Sequence, residues 1–242
     1  MRPMLLLTIC VLSALLPIST TTLVSAQYNG QALILSSVNN QFPLYVEGKI
    51  ESTLTSMGYQ VTFLHDSEVT VDVLLNQLNN YDVVFWRTNG YARLDHATYF
   101  YVGEIDNAAT VQKYSADFTA GYLDNSRGIL GINSKFFRAH LSSTSLSHIK
   151  LMVLITGNLG DMAKTMISAG VTATVNTYGY FAFNIVDPAV ATVFSFLAQG
   201  LSVREAVVRL LNPFYGMLSG YEIDQSEFPP IWYNGNSNIT LP

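Results

Sequence analysis

The chain has 242 residues, 12% of them charged, a formal net charge of −5 and no cluster of Lys and Arg, so it lacks the basic face that a nucleic-acid binder needs. Its single cysteine, Cys10, falls within the first 26 residues; the chain beyond them offers no disulfide, no thiolate metal ligand and no cysteine nucleophile.

Residues 1–26 have the pattern of a secretory signal: Arg2, an apolar run over 5–17, and Val24-Ser25-Ala26 ahead of Gln27. Pro17 and Ser19-Thr20-Thr21-Thr22 break the run short of the roughly 20 apolar residues of a spanning helix, so cleavage is the expectation and an uncleaved anchor the alternative. The mature chain is then secreted or held at the cell surface, without a membrane span of its own.

Residues 31–36 read as a first buried strand, and 43–57 as a helix with Val46, Ile50, Leu54 and Met57 at helical spacing and Gly58 as its stop. Residues 59–64 alternate like a strand. Residues 70–78 give a second helix, and 81–86 a central strand whose run Val83 to Trp86 carries no charge, leaving through Asn89-Gly90. Between 91 and 130 this rhythm lapses, and 99–103 and 110–114 read as the strands of an inserted hairpin. A helix over 133–140, a strand over 151–155, a helix over 161–169 and a strand over 171–175 resume it. Two closing helices are predicted, one over 187–199 from Asp187 as N-cap and Pro188 at the first position, one over 202–211 from the capping box Ser202-Val203-Arg204-Glu205. Residues 213–242 form an aromatic tail, with Phe214, Tyr215, Trp232 and Tyr233 packed on the sheet edge, and Asn238-Ile239-Thr240 is a glycosylation sequon. Alternating strands and helices with long connections predict an α/β domain over 27–212: a three-layer sandwich around a mainly parallel, doubly wound sheet.

The loops 87–90 (Arg-Thr-Asn-Gly) and 156–158 (Thr-Gly-Asn) follow the strands 81–86 and 151–155, at the edge where open α/β sheets place ligands. With the closing segments 187–192 and 200–207, they make the chain resemble the secreted branch of the caspase-haemoglobinase fold, the gingipain-like and clostripain-like cysteine peptidases. The resemblance covers about 32–211 and implies a caspase-like or flavodoxin-like strand order. It also implies that the catalytic His and Cys positions fall on Asn89 and Asn158. A carboxamide neither accepts a proton as a general base nor attacks as a nucleophile, so the resemblance implies a degenerate member without the peptidase's pair.

Asn89, Gly90, Gly157, Asn158 and Asp161 are therefore the candidate binding residues. The two asparagines are expected to share one cleft, with the glycines permitting close backbone approach. Asp161 reads as the cap of a tight turn. Among other residues, His65-Asp66 reads as a polar turn after the second strand, Asp95-His96 as a surface loop, and His140 and His148 lack the spacing of a zinc site. The aromatic run 178–183 is a packing segment or a recognition loop. No metal or cofactor site is read, and no catalytic residue. The expected function is a secreted, non-catalytic domain binding an extracellular protein, peptide or glycan. A hydrolase of another class at the same sheet edge, or a structural surface subunit, are the alternatives.

Overall fold

The computed structural model of the protein describes residues 29–93, 97–125, 128–156, 161–177, 182–217 and 231–242. The chain opens with β1 (Gly30–Ser36), α1 (Glu47–Ser56) and β2 (Tyr59–His65), then reaches β3 (Val83–Arg87) through a 3-10 turn at Asp66–Glu68, α2 (Val71–Asn76) and a second such turn at Leu78–Asn80. β4 (Gly90–Ala92), β5 (Thr98–Ile105), α3 (Ala108–Lys113), α4 (Ser115–Thr119), β6 (Leu123–Asp124) and β7 (Ile129–Ile132) follow. α5 (Ser134–His140) leads to β8 (Leu151–Ile155), α6 (Met162–Ser168), β9 (Ala173–Thr177), α7 (Phe183–Leu197), α8 (Val203–Met217) and β10 (Ile231–Gly235).

Six strands form one sheet in the order β10-β9-β8-β3-β1-β2. All neighbours run parallel except β10, which is antiparallel to β9. The reason lies in the composition of the strands: β3, β8 and β9 are buried at every position, which suits strands covered on both faces. The pleat sends Leu33, Leu35, Val84, Trp86, Met152 and Leu154 into one apolar core with α2, α5 and α6. Ile34, Val83, Phe85, Val153 and Ile155 enter a second, with α1, α7 and α8. Burying a Leu, Val or Phe side chain stabilises by about 1.5–3 kcal/mol, so these runs commit the strands to the interior. The five strands predicted from sequence all belong to this sheet, displaced by up to two residues, and β3 lies inside it.

The inserted segment departs from expectation. In place of a hairpin it is a four-stranded antiparallel sheet, β4-β5-β7-β6, with residues 108–113 helical rather than extended. Asn107 explains the helix: its side-chain oxygen accepts from the N–H groups of Ala109 and Thr110, an N-cap that outweighs the β-preference of Thr110 and Val111. The second sheet rests on the first through Gly103, where a Cβ would collide with the Asp66 carbonyl. Asp66 itself is held at φ 46°, in the left-handed region.

The helix boundaries differ too. α1 starts at Glu47, because the Asn39 side chain accepts from the Leu44 N–H and keeps the preceding residues in a loop. α7 begins at Phe183, so Asp187 is no N-cap: the Ala182 carbonyl accepts from Ile185 and Val186, and Pro188 sits in the second turn. α8 continues through Pro213 to Met217, past the predicted stop. The Ser202 box does form, with Glu205 accepting from the Ser202 N–H at 2.9 Å. The chain's end completes this cap, the Ile239 and Ser237 carbonyls accepting from Val203 and Arg204. Trp232 lies on edge strand β10, but 61% exposed rather than packed. Among the described residues no helix is long and apolar enough to cross a membrane.

Candidate functional site

The chain runs from β1 outward to β2, then crosses back over β1 to β3, so the strand order reverses between β1 and β3. The carboxyl ends of strands at such a reversal leave a crevice. Here it holds a pocket of about 670 Å³, lined by Gln41, Phe42 and Tyr45 from the loop after β1, Asn89 and Gly90 after β3, and Phe183 and Asn184 opening α7. Its volume falls within the roughly 300–1,000 Å³ of small-molecule sites.

Arg87 organises this pocket. β3 ends in a guanidinium with no exposed side-chain surface, opposite Ser36 in register. A fully buried charge demands a partner. Asp187 supplies it, its two carboxylate oxygens accepting from Nε at 2.9 Å and Nη2 at 3.0 Å in the bidentate arrangement that favours Arg. Nη1 donates to the Phe42 carbonyl at 2.6 Å and reaches the Ser36 hydroxyl at 3.4 Å. The guanidinium carbon lies 3.9 Å from the centre of the Phe183 ring, a cation–π contact. One side chain thus joins β1, the 37–46 loop and the start of α7. Burial pushes the Asp187 carboxyl above its ordinary range, against the pull of the Arg87 hydrogen bonds.

The walls are fixed by further bonds. Ser37 donates its N–H to the Arg87 carbonyl at 3.1 Å, and its hydroxyl accepts from the Trp86 indole at 3.1 Å. The N–H groups of Gln41 and Phe42 bond back to Val38, and that of Asn40 to the Asp66 carboxylate. On the opposite wall, the Asn89 side-chain oxygen accepts from the Gly90 N–H at 2.9 Å, and the Asn89 carbonyl accepts from Tyr101. Phe42 and Phe183 pack with ring centres 5.4 Å apart, while Tyr45 stands 84% exposed at the mouth.

A scan against protein-family models finds no match, and neither does a search of curated proteins.

Two of the candidate residues read from the sequence, Asn89 and Gly90, line the pocket. Gly157 and Asn158 lie outside the described residues, as do Asp95, His96 and most of the aromatic run 178–183. Asp161 precedes α6 but its side chain makes no capping hydrogen bond, correcting that expectation; the carboxylate is exposed and 3.7 Å from Arg138. His65 sits 3.0 Å from Glu47, and Asp66 braces the 37–46 loop. His140 and His148 each face one carboxylate, Asp117 and Asp82. No group of three metal-capable side chains occurs among the described residues. Asn238 is exposed, between the two residues whose carbonyls cap α8.

Sequence reading missed Arg87, Asp187 and the aromatic wall of Phe42 and Tyr45, while Phe183 fell in the aromatic run 178–183 already read as a packing segment or a recognition loop. Arg87 carried a signal: a cation directly after Val-Val-Phe-Trp must enter the core or end the strand, and entry requires a carboxylate from elsewhere. Asp187 was hidden because Asp-Pro is also a helix-start pattern.

Proposed function

We propose that this protein is a secreted, non-catalytic binding domain, a degenerate relative of the caspase-haemoglobinase peptidases, that takes an extracellular partner into the pocket between β1 and β3. The Arg87–Asp187 pair carries this reading. Among the described residues lining the pocket, Asp187 is the sole carboxylate, and it is buried with both oxygens committed to Arg87. A general base must reach the proton it takes, and a carboxylate locked in this way does not. Asn89, where the peptidases carry their histidine, spends its side-chain oxygen on Gly90. The order of the parallel strands and the helices flanking the sheet support the caspase-like, three-layer assignment. The segment 1–26 supports secretion.

Purified secreted protein tests the proposal. Peptide, ester and glycoside substrates should give no turnover above background, while a ligand screen followed by amide chemical-shift mapping should place perturbations at 41, 42, 44, 45, 89–90 and 183–184. Turnover abolished by Asp187→Asn would establish an enzyme and overturn the reading.

A further inference from the structure

The same pocket carries a statement about ligand class, resting on its reading as a binding site. We infer that its ligand is a neutral saccharide.

Charge is the first observation. Arg87 and Asp187 are the only charged residues among the described lining, and each is satisfied by the other. The guanidinium's other bonds go to Phe42 and Ser36, so it does not stand open to a carboxylate or phosphate. An ionic ligand entering here would lose hydration without a counter-charge, which is costly. The ligand is therefore uncharged.

Hydrogen-bonding capacity is the second. Gln41 and Asn184 place two exposed carboxamides around the space, and Asn89 adds its side-chain amide nitrogen, its oxygen being bonded to the Gly90 N–H. A carboxamide with both ends open donates and accepts, which suits a group that does the same, and the hydroxyl is the simplest such group. A peptide backbone would instead be read by main-chain N–H and C=O groups, as in strand addition. The walls here have spent several of theirs: the N–H groups of Gln41, Phe42 and Gly90 and the carbonyls of Phe42 and Asn89 are all bonded within the protein. Side-chain amides are what remain in evidence, and they fit polyhydroxylated ligands.

The third observation is aromatic. Tyr45 is 84% exposed and Phe42 42% exposed, on a loop that Arg87, Asp66 and Asn39 already hold. Held on a fixed loop beside the pocket, these rings are presented for contact, and a ring face with a polar tip matches the apolar C–H face and hydroxyl edge of a pyranose. The loop is preorganised, so binding does not have to order it.

Isotope-labelled full-length secreted protein, titrated with neutral mono- and oligosaccharides, with sialylated and uronic-acid sugars, and with uncharged peptides, tests the inference. Neutral sugars should shift the amides of 41, 42, 44, 45, 89–90 and 183–184. Tyr45→Ala, a change at an exposed position, should weaken that binding at least tenfold with the thermal midpoint unchanged, and Asn184→Ala should weaken it similarly. Acidic sugars should bind more weakly than their neutral counterparts. If uncharged peptides shift these amides and sugars do not, the saccharide class is rejected and the pocket stands. Sugar binding unaffected by both variants would also reject it. If no probe perturbs these residues, the binding site itself is rejected.

Discussion

Arg87 and Asp187, one hundred residues apart in the chain, meet in a bidentate ion pair beneath the crevice between β1 and β3. Neither could be buried alone. Removing one partner of a buried pair leaves an uncompensated charge, which costs about 3–5 kcal/mol, whereas replacing both by apolar residues of similar size is often close to neutral. Arg87→Ala and Asp187→Ala should each lower stability by about 3–5 kcal/mol, and Arg87→Met with Asp187→Leu should recover most of it. Urea unfolding curves measure this. Single variants within about 1 kcal/mol of the parent would show that the pair does not hold the two walls together.

Gly103 gives a second test, away from the pocket. It lies on β5 where that strand crosses the 3-10 turn after β2, and an added methyl would enter the Asp66 carbonyl. Backbone cannot swing aside as a long side chain can. Gly103→Ala should force the two sheets apart and destabilise by about 1–3 kcal/mol or more. Calorimetric melting reads the loss. An unchanged midpoint would mean the second sheet does not pack on this turn.

Acid stability turns on Asp82, at the opposite sheet edge. Its carboxylate accepts from the Gln31 N–H at 3.0 Å and lies 2.9 Å from Lys150. Burial acts to raise its pKa, but the hydrogen bonds from Lys150 and Gln31 and the charges of Lys150 and His148 prevail, holding it below the ordinary value. A carboxyl depressed in the folded state stabilises at neutral pH, and that contribution is lost as pH falls below the unfolded value of about 3.9 and through the lower folded one. Asp82→Asn should therefore cost stability at pH 7 and narrow the gap to the parent as pH drops below about 4. Unfolding free energies across that range would show it. A gap independent of pH would mean that the Asp82 charge contributes nothing.

Sequence by itself determined the frame. The uncharged runs in β1, β3 and β8 could be buried only as covered strands, and the helical spacing of Ile50, Leu54 and Leu74 supplied covers; both are local periodicities, legible without knowing what lies opposite. The Ser202 cap was equally local. Three features were not legible, for one physical reason: each depends on a partner remote in the chain. The start of α7 was misplaced because Asp187 is spent on Arg87 rather than on a helix end. The inserted sheet was underestimated because β6 and β7 are two and four residues long and gain definition only from pairing. The pocket could be half seen, through Asn89 and Gly90 at the end of β3. Its other wall, Gln41, Phe42 and Tyr45, was read in part as helix, and only the buried guanidinium, bonding the Phe42 carbonyl and stacking on Phe183, brings that loop and α7 across the end of the sheet.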